Sequence, residues 1–239
     1  MIELFYYTSP NARKVLMMLE EVALPYRIRW TDISAGDQFV EAYGRVNPNR
    51  KVPALIDTDG PGGQAVRLFE SGAILLYLAE KTGRLLPVDP ARRCNVIQWL
   101  FWQTSSQGPL LGQAAHFFSH AASRGIHVEY AVERYRREAQ RLYGVLELQL
   151  RGREYIDDEY SIADIAAFPW VRVAKGQGID LHEYPSVHRW CEAIAERPAA
   201  RKKVDGDEAA KRAAKTNYYQ DETWNRLFGG EAPARSPGA

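Results

Sequence analysis

The spacing of apolar residues changes several times in the first 85 residues, and each change predicts an element. Ile2-Glu3-Leu4-Phe5-Tyr6-Tyr7 reads as an opening strand. From Pro10 to Val22 the apolar positions Ala12, Val15, Leu16, Leu19 and Val22 follow helical spacing. Tyr26-Arg27-Ile28-Arg29-Trp30 reads as a second strand, and a loop with a short helix carries Asp37-Gln38-Phe39-Val40. Ala54–Asp57 and Ala65–Leu68 are expected to pair across Asp59-Gly60-Pro61-Gly62-Gly63 as a hairpin. A helix from Ser71 to about Thr82 follows. Beyond Leu85-Leu86-Pro87-Val88-Asp89-Pro90, a linker punctuated by prolines, the pattern turns helical throughout. Val132, Tyr135, Ala139, Leu142, Tyr143, Leu146 and Leu150 form the apolar stripe of one long helix. Ser161 and Asp164 make a capping box in its acidic variant, a folding device rather than chemistry.

The order βαβ-α-ββα is that of a thioredoxin-like domain, here expected over residues 1–86. An all-helical domain over 87–205 and a C-terminal tail over 206–239 follow. In the tail, Tyr218–Trp224 is aromatic enough to dock on the body, whereas Glu231–Ala239 reads as disordered. The glycine-rich turn precedes no helix, which argues against a phosphate-binding loop. With 239 residues, 46% hydrophobic and 26% charged, the chain has the composition of an ordinary globular protein. A formal charge of +1 offers no drive toward nucleic acid or anionic lipid. The apolar run Ala73–Ala79 is too short to span a bilayer, and the chain opens on a strand rather than a signal sequence. Two cysteines, Cys94 and Cys191, give no disulfide framework. A cytoplasmic location is expected.

Two segments carry the candidate chemistry. In Lys51-Val52-Pro53-Ala54-Leu55 a proline that cannot donate to a ladder stands before a strand, marking a tight turn with a cis or trans peptide. Val52 then offers its backbone groups to something other than a neighbouring strand. In Phe69-Glu70-Ser71-Gly72-Ala73, Glu70 and Ser71 stand at a helix start, where unpaired N–H groups favour a carboxylate. Each feature alone reads better as an ordinary turn or an ordinary cap. Together, in this order and spacing, they resemble the glutathione transferase superfamily. That resemblance covers roughly the first 200 residues and implies the glutathione transferase fold. It implies that Val52, flanked by Lys51 and Pro53, pairs with the cysteinyl backbone of glutathione. Glu70 would then meet the γ-glutamyl ammonium, and Ser71 with its helix start the carboxylate.

Thr8-Ser9-Pro10-Asn11 lies between the first strand and first helix, where this superfamily activates the glutathione thiol. A helix start stabilises a thiolate. Three readings stay open: Ser9 is simply an N-cap before a proline, Tyr6 or Tyr7 donates a hydroxyl, or Asn11 aims its amide N–H at the sulfur. The third is preferred through a narrower resemblance. The Ser-Pro-Asn turn, the Phe69–Gly83 run, Gln98-Trp99-Leu100-Phe101-Trp102-Gln103, Gly108-Pro109-Leu110-Leu111-Gly112-Gln113 and Glu133-Arg134-Tyr135 are similar to the nu class of bacterial transferases. A yeast nitrogen regulator with a transferase-like domain is related to that class. The resemblance implies that Asn11, Gln38, Val52, Glu70 and Ser71 hold glutathione, while Arg134 reaches a second glutathione across the cleft. It implies disulfide reduction by glutathione with no protein cysteine, beside weak conjugating activity. The family commonly has threonine where Ser9 stands; serine keeps the hydroxyl but loses the methyl that fixes its rotamer.

The absence of cysteine between Met1 and Leu24 points the same way, since a cysteine-type thioltransferase needs a thiol beside that helix. Cys94 and Cys191 are expected in the core. His116 and His120 share a helix spacing but lack a third ligand, so no metal is expected. The run from Arg197 to Glu208 reads as a solvated charged face, and Trp99 and Trp102 as core packing. The expected function is glutathione-dependent reduction of small disulfides by a homodimer, with weak transferase and peroxidase activity. The alternatives are a transferase conjugating electrophiles and a non-catalytic glutathione-binding regulator.

Overall fold

A computed structural model describes residues 1–210 and 221–229. The chain divides into two compact units, one made of Met1–Ala12, Pro25–Glu70 and Lys203–Ala239, the other of Arg13–Leu24 and Ser71–Lys202.

The first unit is built on a four-stranded sheet in the order β2-β1-β3-β4, with β1 Ile2–Tyr6, β2 Tyr26–Trp30, β3 Ala54–Asp57 and β4 Val66–Phe69. β2 runs parallel to β1, whereas β3 and β4 are antiparallel additions. This is the thioredoxin-like mixed sheet. Ile2, Leu4 and Tyr6 point into the interior and set the register, since a shift of one residue would expose all three. The hairpin strand begins at Val66 rather than Ala65, because Pro61–Gly63 winds into a short 3-10 turn. Gly62 and Gly63 there take positive φ. A small core of Tyr43, Val46 and Ala54, packed by Phe5, Val52 and Ile56, fixes the loop that leads into β3.

The C-terminal segment belongs to this unit too. Asp207 is buried and accepts the Tyr6 hydroxyl at 3.1 and 3.3 Å, so it is no part of a solvated face. The helix Asp221–Phe228 docks through Arg226, whose guanidinium donates to the Ser34 carbonyl at 3.1 Å. Tyr218, Tyr219, Gln220 and the 231–239 stretch lie outside the described residues.

The second unit is helical. Its described helices include α1 Pro10–Val22, which begins in the first unit, then α3 Ser71–Thr82, α4 Pro90–Trp102, α5 Gly108–Ala115, α6 Glu129–Leu150, α7 Ile162–Val171 and α8 Pro185–Ala195; α2 is the short Glu41–Gly44 helix of the first unit. α7 is buried on nearly every side, as a sequence apolar at every position but Asp164 requires. Ser161 caps it through Ala163 N–H, and Asp164 reaches back to Ser161 N–H at 3.0 Å, completing the expected box. α6 buries one stripe, Ala139, Leu142, Tyr143, Leu146 and Leu150. Between α4 and α5 the helix widens into a π turn over Gln103–Gln107. Pro109 follows directly; it cannot donate an intrahelical bond, and the wide turn spares its ring a clash with the preceding turn.

Three expectations are corrected here. Cys94 is exposed on α4, since that helix buries Val96 and Leu100 and position 94 lies off that face. Trp99 and Trp102 are half-buried and meet edge to face at 5.0 Å. Arg197 is no free surface charge: it forms a bidentate pair with Glu21 at 2.7 and 2.9 Å and covers the Tyr160 ring at 3.9 Å.

Candidate functional site

The turn between β1 and α1 presents Ser9 and Asn11. Ser9 Oγ accepts Ala12 N–H at 3.1 Å, so the serine is an N-cap, and its own O–H remains a donor. Asn11 sits in the first turn of α1, half-buried. Both neighbouring tyrosines are engaged elsewhere. Tyr6 gives its hydroxyl hydrogen to Asp207, and Tyr7 is 4% exposed with its ring against Trp30 at 5.3 Å. Burial pushes the Tyr7 hydroxyl above its ordinary pKa; a hydrogen bond with Ser34 opposes this and Asp32 adds to it. A buried phenol with a raised pKa is a poor device for making a thiolate.

Val52 lies two residues ahead of β3, and the Val52-Pro53 peptide is cis. Among the described residues the Val52 N–H and C=O enter no backbone hydrogen bond, which leaves one donor and one acceptor for pairing. That segment is braced from behind. Tyr43 Oη and Asn47 Nδ2 both donate to the Lys51 carbonyl, at 2.6 and 2.5 Å. Arg50 Nη1 donates to the carbonyls of Gln38 and Phe39, at 3.3 and 2.7 Å, and so ties the Gln38 segment to the Lys51-Val52 segment. Gly44 makes room for this guanidinium, because a Cβ there would stand 2.8 Å from Arg50 Nη2. Gln38 is 4% exposed; its Nε2 donates to Ile33 O, while its Oε1 is buried without a hydrogen-bond partner among the described residues. Sequence reasoning missed Tyr43, Asn47 and Arg50. The Asn47-Pro48-Asn49-Arg50 turn was a local signal for the last two.

Glu70 is exposed and holds φ of 67°. A non-glycine residue in this left-handed region costs about 1–3 kcal/mol and is kept where the position has work to do. The conformation turns the chain from β4 directly into α3. Ser71, first residue of α3, is buried, and its Oγ accepts from Lys14 Nζ at 3.2 Å.

Arg134 projects from α6 into solvent, 3.7 Å from Glu138, while its neighbour Tyr135 stacks on Phe117 at 5.5 Å. His116 and His120 face each other at 6.5 Å, and burial lowers the pKa of both. Among the described residues no group of three or more His, Cys, Asp or Glu is placed to hold a metal ion. Cys191 is buried and its thiol is pushed up to about 11, chiefly by desolvation. No described helix is long and apolar enough to cross a membrane.

The chain as a whole is similar to known proteins. The family described as glutathione S-transferase, N-terminal domain, matches residues 8–81, and that described as glutathione S-transferase, C-terminal domain, matches residues 113–198. Disulfide-bond oxidoreductase YfcG of Escherichia coli strain K12 is 48% identical over 83% of this chain and 92% of its own length. A glutathione transferase of Pseudomonas putida, solved with one glutathione disulfide per subunit, superposes with a TM-score of 0.80 at 42% identity. That match covers 84% of this chain and 89% of that one. A glutathione transferase of Burkholderia graminis, solved with two glutathione molecules per subunit, gives 0.79 at 43% identity, over 83% and 85% of the two chains. The chain belongs to the glutathione transferase superfamily, in the nu-class group that includes YfcG.

Proposed function

We propose that this enzyme reduces small disulfides with glutathione, using the thiol of the bound tripeptide in place of a protein cysteine. The observation that carries the reading is a helix start that presents Ser9 and Asn11 and no thiol; residues 1–93 contain no cysteine at all. Glutathione lies with its cysteinyl backbone paired to Val52 and its γ-glutamyl end on Glu70 and Ser71, with Gln38 and Lys51 beside it. Asn11 donates its amide N–H to the sulfur, and Ser9 supplies a second donor. The bound thiolate attacks one sulfur of the substrate disulfide. A mixed disulfide with glutathione forms, and the other sulfur leaves as a thiolate that takes up a proton. A second glutathione, held by Arg134, loses its thiol proton and attacks the glutathionyl sulfur of the mixed disulfide. Glutathione disulfide forms and the second substrate thiol is released. Two glutathiones are oxidised for each disulfide reduced. The relatives solved with a glutathione disulfide or with two glutathiones support a site of that capacity. The same thiolate gives weak transfer to electrophiles and weak peroxide reduction. The enzyme works as a cytoplasmic homodimer.

Arg134→Ala tests the two-glutathione step. By calorimetry it should weaken glutathione disulfide binding about tenfold, the scale of one charge-assisted contact at an exposed site, and reduced glutathione much less. Equal losses contradict the step. Glu70→Gly separates binding from folding. Relief of the left-handed backbone should leave stability unchanged or higher by about 1 kcal/mol, while loss of the carboxylate weakens glutathione binding about 10- to 100-fold. Chemical denaturation and calorimetry on the same preparation read both; loss of stability with binding intact contradicts the assignment.

A further inference from the structure

Lys14 lies in α1 among Ala12, Val15, Leu16, Met17 and Met18, and is 1% exposed. Burying an ammonium ion costs several kcal/mol unless its hydrogens are taken up. Here Nζ donates to Ser71 Oγ at 3.2 Å and to Gln103 Oε1 at 2.6 Å. We propose that Lys14 is a positioning residue for the substrate: its contact forces the Ser71 hydroxyl to act as hydrogen-bond donor to the γ-glutamyl carboxylate of glutathione. The inference rests on the glutathione reading above and adds a residue to it.

The direction of the bond decides the matter. An ammonium group has donors and no acceptor, so Ser71 Oγ can only accept from Lys14. The serine hydrogen must then point elsewhere, and the remaining direction of use is a carboxylate at the start of α3. A serine without such a neighbour can turn either lone pair or hydrogen to a ligand, and a lone pair repels an anion. Lys14 removes that ambiguity and places a positive charge behind the oxygen.

The surroundings hold the lysine in this role. Gln103 is fully buried, and accepting from Lys14 fixes its amide with Oε1 toward the ammonium. Its Nε2 then lies against Gly108, where a Cβ would approach to 3.0 Å. Gln103 opens the π turn, and a Cβ at Gly72 would meet Thr104 Cγ2 at 2.7 Å, so the first turn of α3 is pressed directly onto that wide turn. Widened helical turns of this kind recur at functional sites.

The test compares glutathione with cysteinylglycine, which lacks the γ-glutamyl group, by calorimetry on the full chain. Lys14→Met should weaken glutathione about 10- to 100-fold, the range of a hydrogen bond to a charged group, and change cysteinylglycine less than about twofold. The double variant Lys14→Met/Ser71→Ala should bind glutathione no worse than Ser71→Ala, because both act through one hydroxyl. Equal losses for the two ligands, or additive losses in the double variant, overturn the proposal. If Lys14→Met does not fold, the wild type labelled with 13Cε-lysine gives the answer. Its Lys14 resonance should shift with glutathione and stay still with cysteinylglycine; a resonance unmoved by glutathione overturns the proposal. A wild type that binds cysteinylglycine as tightly as glutathione overturns the γ-glutamyl subsite itself, and this inference with it.

Discussion

Asn11→Ala should lower kcat/KM for disulfide reduction about 100-fold, the loss expected when a donor to a developing thiolate is removed. Tyr7→Phe should change it less than about threefold, the effect of a surface-scale perturbation rather than lost chemistry. The contrast follows from the geometry. Tyr7 is buried against Trp30 with a pKa raised by desolvation, and Tyr6 spends its hydroxyl on Asp207. Asn11 stands in the first turn of α1, where helix N–H groups and its own amide can lower the pKa of a bound thiol together. Stopped-flow absorbance near the thiolate band, as a function of pH, separates this from a loss of binding. The bound thiol should titrate higher in Asn11→Ala and unchanged in Tyr7→Phe. The opposite pattern places thiol activation on tyrosine.

The largest effect on stability should come from Asp164. Its carboxyl is fully buried and accepts from Ile156 N–H at 2.9 Å, Ser161 N–H at 3.0 Å, Ser161 Oγ at 3.2 Å and Trp190 Nε1 at 2.9 Å. Asp164→Ala strands at least the Ile156 amide and the Trp190 indole, and each buried orphan costs about 1–3 kcal/mol. A total near 3–5 kcal/mol is a large part of the ~5–15 kcal/mol that holds an ordinary domain. Burial, outweighing these donors, pushes the Asp164 pKa up to about 6. An unfolded aspartate titrates at about 3.9. The folded state therefore favours the protonated form, and this contribution to stability is full below about pH 4 and is lost as pH rises through about 6. Urea unfolding of the wild type and Asp164→Asn should show the difference falling by up to ~3 kcal/mol over that window and then levelling. A difference that grows with pH contradicts the assignment.

Local signals carried much of the architecture. Ser9-Pro10 marks the start of α1 and Ser161 with Asp164 that of α7, because cap chemistry is written within four residues. The Val52-Pro53 and Glu70-Ser71 segments were legible for the same reason. What escaped depended on partners distant in sequence. Asp207 looked like one charge in a mixed run, yet its partner Tyr6 lies 201 residues away. Lys14 lies off the apolar stripe of α1, a placement that predicts exposure, and its contacts with Ser71 and Gln103, far along the chain, accompany its burial. Arg50 reads as an ordinary turn residue until Gln38 and Phe39 are brought over it. Cys94 was misplaced because an apolar helix pattern alone does not say which face is covered; Val96 and Leu100 define that face and residue 94 is off it.

In the proposed reaction the reducing thiol belongs to glutathione and not to the protein. The chain contains only two cysteines, so Cys94→Ser/Cys191→Ala removes every protein thiol. Steady-state reduction of a small disulfide by that variant, with glutathione as the sole reductant, tests this directly. The expected kcat/KM lies within about twofold of the wild type, since neither substitution touches the reacting atoms. Loss of disulfide reduction with glutathione binding intact would contradict it.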